Sequence, residues 1–311
     1  MTAPRLSFEF FPPKGEAMRE TLAEAHATLG RFEPEFVSVT WGALGAESDA
    51  SLDALGQLDV AGAAPRAAHL TCTGRRPAHV HAMLDEIEAR GVRHVVALRG
   101  DRPSGLGRVS RSGKETGEGR EARPLRYATD LIELVAARGG FEISASAYPE
   151  THPEARNAEH DIDVLKRKFE LGATRALTQF FFEPATFLRF RDACAARGVT
   201  GPIVPGILPI RDIERAVEFA EKCGANVPEA LRERFRAAPD DAARERLAVD
   251  QATELCEALV AEGVDELHFY TLNRAEPTRE ICERLVGGDV ARDGAAPAAA
   301  TASAGGVDAA A

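Results

Sequence analysis

VHAMLDEIEARGVRHVVALRG, residues 80–100, contains one complete unit of the fold. Its first half places apolar residues at Val80, Met83, Leu84 and Ile87, the spacing of one buried helix face. Gly91 then closes the helix, and RHVVALR (93–99) is a short apolar, β-branched run of the kind that fills a parallel strand buried on both faces. The same alternation runs along most of the chain. Strands are expected at LSFEFF (6–11), EFVSVT (35–40), RAAHLT (66–71), RHVVALR (93–99), FEISASAY (141–148), RALTQFF (175–181), PIVPGIL (202–208) and ELHFYTL (266–272), with helices between them. Eight such units without a Gly-rich dinucleotide fingerprint after the first strand predict a closed (β/α)₈ TIM barrel rather than an open doubly wound sheet. The expected domain is a single barrel over 1–287 with extra helices within 227–262. The Ala/Gly-rich tail at 288–311 has the composition of a disordered segment. RPSGLGRVSRSGKETGEGREARPL (102–125) reads as a long polar loop, either a functional lid or a disordered insertion.

Composition narrows the function. The 311 residues carry 38 basic against 49 acidic side chains, a formal charge of -11, which argues against a sequence-independent hold on nucleic acid or anionic lipid. No apolar run reaches the roughly 20 residues of a membrane span, and the N-terminus lacks a secretory layout, so a cytoplasmic protein is expected. The 5 cysteines show no CxxC spacing and predict neither a disulfide framework nor a zinc site. No His or carboxylate cluster has metal-ligand spacing, so metal catalysis is not expected.

In a barrel of this kind, chemistry gathers where strands end. The strand ends here supply Glu9, Thr40, His69, Arg99-Gly100-Asp101, Tyr148 with His152, Gln179, and Tyr270 with Asn273 and Arg274. Each has an ordinary reading alone: His69 as a satisfied core histidine, Gln179 as a strand-to-strand hydrogen bonder, Asp161 and Lys168 as an exposed helix pair. Their convergence on one rim points to a shared site. Gly100 permits close approach of a ligand, and Arg99 suits phosphate or a flat heterocycle.

Eight stretches carry a resemblance: SFEFFPP (7–13), FVSVTWGA (36–43), HLTC (69–72), HVVALRGD (94–101), YPETHPEA (148–155), TQFFFEP (178–184), PGILPI (205–210) and FYTLNRAE (269–276). In this order, from about Arg5 to Leu285, the sequence resembles the bacterial type of the methylenetetrahydrofolate reductase family. The resemblance implies a flavin barrel that reduces 5,10-methylenetetrahydrofolate to 5-methyltetrahydrofolate for methionine synthesis. FAD would be the resident cofactor and NADH or NADPH the hydride donor, with donor and folate using one flavin face in turn. A homo-oligomer is expected. The resemblance makes Glu9 the catalytic acid and Asp101 an acid near flavin and pterin. It puts cofactor contacts at Thr40, Trp41, Ala43, His69, Arg99, Gly100, Asp101, Tyr127, Ala128, Tyr148, His152, Asp161 and Lys168, and substrate contacts at Gln179, Phe219 and Arg274. Trp41 stands where relatives often have Tyr, and Arg215 where some have a substrate-touching Gln, so Arg215 is not assigned to the site. The regulatory domain that carries S-adenosylmethionine inhibition in eukaryotic relatives is not expected. A proline dehydrogenase-like oxidase and a non-catalytic folate or flavin binder are the alternatives.

For Glu9, a general acid must keep its proton near neutral pH, whereas a free Glu titrates at about 4.3. The flanking Phe8, Phe10 and Phe11 are expected to provide apolar surroundings that disfavour the charged form, and Pro12-Pro13 to end the strand.

Overall fold

The computed structural model describes residues 3–41, 48–60, 63–100 and 123–287. Asp101, Ala43, most of the 102–125 loop and the 288–311 tail therefore lie outside the described residues. All eight expected strands form: β1 (Arg5–Phe10), β2 (Phe36–Val39), β3 (Arg66–Thr71), β4 (His94–Leu98), β5 (Glu142–Ala147), β6 (Arg175–Phe180), β7 (Ile203–Ile207) and β8 (Glu266–Tyr270). Each pairs in parallel with the next and β8 returns to β1, closing the barrel. The closing register sets Arg5 against Glu266, Ser7 against His268 and Glu9 against Tyr270.

Helices α1 (Glu16–Gly30), α2 (Ser48–Gln57), α3 (Pro77–Ala89), α4 (Ala128–Arg138), α5 (Ala158–Glu170), α6 (Pro184–Ala196) and α7 (Ile213–Cys223) each follow their strand. The extra helices α8 (Glu229–Ala237) and α9 (Asp241–Ala261) precede β8, and α10 (Thr278–Val286) follows it. Local sequence sets several boundaries. Asn157 and Asp212 accept amide hydrogens at the starts of α5 and α7, and left-handed Gly224 ends α7.

Period-two alternation divides each strand between two environments. Leu6, Phe8, Phe10, Val37, Val39, Ala68 and Leu70 belong to the large core between sheet and helices. The inner positions hold a smaller apolar group, Phe36, Ala67, Val96, Leu177 and Val204. Barrels of this fold usually fill such positions with branched apolar side chains. Here many are polar. Ser7 pairs with His268, His69 with Ser38 and His94 with Ser144, at 2.9, 3.3 and 2.7 Å. A register shift between β6 and β7 leaves the Thr178 hydroxyl free to accept the Gly206 amide at 2.8 Å. A side chain at Gly206 would collide with the Thr178 carbonyl and with the ring of Tyr270, so glycine is required there.

Candidate active site

Glu9 lies on an inner position of β1 with its side chain 18 % exposed. Its Oε2 is 3.3 Å from His69 Nε2 and 3.7 Å from His268 Nε2. This corrects the expected surroundings of the carboxylate. Phe8 and Phe10, the flanking residues in sequence, point to the other side of the sheet. There Phe8 meets Phe269 at 6.1 Å between centroids and Phe10 meets His26 at 6.2 Å. The polar partners of Glu9 are imidazoles, and the Phe8 and Phe10 rings do not surround it.

The backbone that presents Glu9 is held from β8 across the closing seam. Thr271 Oγ1 donates to the Glu9 carbonyl at 2.7 Å. Asn273 accepts the Phe11 amide at 2.8 Å and donates to the Phe11 carbonyl at 2.7 Å. Leu272 and Asn273 have positive φ values of 52° and 58°, conformations in which asparagine is tolerated better than most residues. That strained corner closes the clamp. Asn273 is thus a backbone clamp at the rim.

Burial pushes the His69 imidazole below its usual range, with Glu9 opposing and His268 reinforcing the shift. A neutral His69 supplies hydrogen bonding without a formal charge. Beneath it, burial and then the field of Arg175 push His94 down to about 3. His268 sits at 0 % side-chain exposure, with Nδ1 on Ser7 Oγ and Nε2 toward Glu9.

Rings lead from this floor to the rim. His268 meets Tyr270 edge-on at 5.4 Å, Tyr270 meets Phe180 at 6.3 Å, and Phe180 stacks on Phe219 at 5.3 Å and 22°. The Tyr270 hydroxyl donates to the Thr178 carbonyl at 2.7 Å, and burial raises its pKa well above the ordinary phenol value. Phe219, on α7, is 46 % exposed at the outer end of the stair. Gln179 lines a cleft with Tyr148, Phe180 and Cys223, its carbonyl accepting the Phe180 amide.

On the other side of the rim, Arg99 and Gly100 follow β4. The Thr73 amide and hydroxyl donate to the Arg99 carbonyl at 2.9 and 2.6 Å, which locks this turn to β3. Gly100 has φ +83, and a Cβ there would lie 2.8 Å from Thr71 Cβ. Tyr148 meets His152 edge-on at 4.6 Å. The His152 amide donates to Asp161 at 2.8 Å, and Lys168 Nζ donates to the Ser146 carbonyl at 2.6 Å. Lys168 is not an exposed helix residue: burial lowers it to about 8, with Asp161 partly opposing. Trp41 is buried, and its Nε1 has no hydrogen-bond partner among the described residues.

The predicted residues therefore fall into groups. Glu9 and His69 meet directly. Arg99, Tyr148, His152, Asp161 and Lys168 form one neighbouring set, and Gln179 with Phe219 flanks the aromatic stair. Thr40 lies at the end of β2, its carbonyl accepting from Ser51. Tyr127 and Ala128 stand at the start of α4, with Tyr127 51 % exposed and beside Arg126. Arg274 is exposed just after β8. Arg215 is 86 % exposed and paired with Asp212. Sequence reading missed Ser7, His94 and His268. Ser7 and His268 lie two residues before Glu9 and Tyr270, and period-two alternation from those rim residues would have found both.

Among the described residues no group of three or more His, Cys, Asp and Glu side chains is placed to hold a metal, and no helix is long and apolar enough to cross a membrane. A family model described as methylenetetrahydrofolate reductase matches residues 2–286. The 5,10-methylenetetrahydrofolate reductase of Escherichia coli (strain K12) is 39% identical over 281 residues, 90% of each chain. That of Pectobacterium carotovorum subsp. carotovorum is 39% identical over 289 residues, 92% of each. Among solved structures, a protein from Clostridium thermocellum described as binding two copies of 5-methyl-5,6,7,8-tetrahydrofolic acid matches with a TM-score of 0.56. That match covers 93% of this chain and 96% of the other at 13% identity, a likeness of fold. Family match and relatives agree along nearly the whole barrel: the chain belongs to the methylenetetrahydrofolate reductase family.

Proposed function

We propose that the protein reduces 5,10-methylenetetrahydrofolate to 5-methyltetrahydrofolate, with NADH or NADPH as donor and FAD as resident carrier, in the supply of methyl groups for methionine synthesis. The observation that carries this reading is Glu9. It is a carboxylate turned into the barrel beside two imidazoles, with no cation paired to it among the described residues. The substrate holds a methylene between two nitrogens in a five-membered ring, and opening that ring requires a proton on the departing nitrogen. Glu9 supplies it from the floor of the site. His268, held by Ser7, faces Glu9 from 3.7 Å and helps to form the polar surroundings of the carboxyl. Tyr270, Phe180 and Phe219 provide flat apolar surfaces for a pterin or nicotinamide ring, and Gln179 provides an amide for its polar edge.

The residues present fit a flavin dinucleotide. Arg99 and Lys168 are cations suited to its diphosphate, Gly100 lets the chain after β4 pack close against Thr71, and the buried Trp41 indole retains a donor with no partner among the described residues. Thr40, His69, Tyr148 and His152 complete the nearby contacts, with Tyr127 and Ala128 at the start of α4; Ala43 and Asp101 are assigned from the sequence alone. When bound and reduced by NADH or NADPH, FAD would supply the hydride that the opened folate accepts. We read the protein as a cytoplasmic homo-oligomer.

The test is direct. Purified protein should show a flavin spectrum, bleach under anaerobic NADH or NADPH, and recover its colour when methylenetetrahydrofolate is added. Protein that binds no FAD from an excess, or a bleached flavin that the folate does not reoxidise, would overturn the reading.

A further inference from the structure

Away from Glu9, side chains following β4 and β5 form one connected polar set. Arg99 grips Glu154 with both terminal nitrogens: Nη1 donates to Oε2 at 2.8 Å and Nη2 to Oε1 at 3.0 Å. The Glu154 amide donates to His152 Nδ1 at 3.0 Å, and the His152 amide donates to Asp161 at 2.8 Å. Asp161 acts electrostatically on Lys168, which is anchored on Ser146. Among the described residues the set contains two cations and two carboxylates, whose formal charges cancel.

The two carboxylates are held differently. Asp161 is on α5 and takes a backbone amide. Glu154 is on the turn before that helix with its side chain 44% exposed, so water can reach it where it meets Arg99. A guanidinium fork accepts carboxylate and phosphate oxygens in the same bidentate geometry. From this juxtaposition we infer that Glu154 is a placeholder: it fills the fork of Arg99 in the ligand-free protein and yields it to the phosphate oxygens of the arriving dinucleotide. The inference rests on the flavin reading above and names a residue that controls how the cofactor enters. It makes Glu154 a positioning residue that acts through Arg99. The gain is a cationic side chain kept ordered before its ligand arrives, at the cost of a competitor that must leave.

The test uses full-length protein freed of flavin. Dissociation constants are measured for FAD by fluorescence quenching and for ADP by calorimetry, with association rates by stopped flow. Glu154→Gln, which removes the competing charge, is expected to bind both about tenfold more tightly and to associate faster, a change equivalent to about 1.4 kcal/mol. Its ligand-free form should melt below the parent because Arg99 loses its partner. Glu154→Asp keeps the charge but is one carbon short of the fork, and should also tighten binding, by about threefold on the scale of an exposed ion pair. Arg99→Ala should weaken both ligands. Weaker or unchanged FAD binding by Glu154→Gln overturns the placeholder while leaving the flavin reading intact. So does a Glu154→Asp protein that matches the parent, since charge alone would then explain the effect of Gln. A parent that binds no FAD fails the flavin reading itself, and the placeholder with it.

Discussion

Glu9 and Glu266 occupy inner positions at opposite ends of one barrel, on strands that pair with each other, and they are treated in opposite ways. At the lower end, Glu266 is 5% exposed at its side chain and sits between two guanidiniums, Arg175 at 3.0 Å and Arg5 at 3.2 Å. Arg175 also pairs with Glu142 at 2.8 Å and lies 5.1 Å over the Phe36 ring. Burial raises the Glu266 pKa, and Arg175 and Arg5 pull against that. At the upper end Glu9 has imidazoles as neighbours and no guanidinium or ammonium among the described residues. A buried carboxylate gripped by two guanidiniums is committed to holding structure. One beside imidazoles is not tied down in this way, which suits the role proposed for it above. The middle layer, Ser7 with His268 and Ser144 with His94, separates the two regimes.

The largest effect should come from the upper end. Glu9→Gln keeps size and hydrogen bonding but has no proton to give, and general acid catalysis contributes about a hundred- to ten-thousand-fold. Flavin reoxidation by methylenetetrahydrofolate should slow by that range while reduction by the nicotinamide proceeds near the parent rate. Stopped-flow timing of the two half-reactions checks this, and equal losses in both would make Glu9 structural.

At the lower end, Arg175→Met should leave turnover per folded molecule nearly unchanged but cost about 3 kcal/mol of stability. Breaking a buried pair strands a charge, and Arg5 remains as a partial partner. Urea unfolding measures the loss. A variant as stable as the parent but catalytically impaired would show that the two ends are not separate.

The middle layer should give the smallest effect, seen in pH dependence. The His94 pKa is depressed to about 3 in the folded protein, by burial and then by Arg175, His268 and His69, against an ordinary value near 6.5. Between those values the unfolded chain binds the extra proton, so this contribution is complete above about pH 6.5 and is lost as pH falls toward 3. His94→Gln should flatten that slope by at most about 1.4 kcal/mol per pH unit. Unfolding curves at pH 7 and pH 5 check it, and an unchanged slope would assign the acid sensitivity to other groups.

Much of this was legible before the structure. Strand positions follow from short β-branched runs between Gly-capped helices, and closure follows from their number. Helix α2 is harder to see, because SDASLDALGQ is short and its apolar face is sparse. The rim residues were legible because polar side chains at strand ends have few structural uses. The surroundings of Glu9 were misjudged because neighbours in a strand sequence lie on opposite faces. The pairing of Arg99 with Glu154 joins residues 55 apart, and no local pattern encodes it.

The seam between β1 and β8 also bears on how the protein is made. Ser7 meets His268 across 261 positions, and Phe11 meets Asn273 across 262. During synthesis Glu9 is made long before the groups that orient it, Thr271 and Asn273 just after the last strand of the barrel. Contacts of such separation are slow to form, and domains complete themselves only after their last element is released. A chain stalled before residue 266 would have seven strands, an open seam and an unaimed carboxylate. The aim of Glu9 into the barrel is therefore a report that synthesis of the barrel has finished.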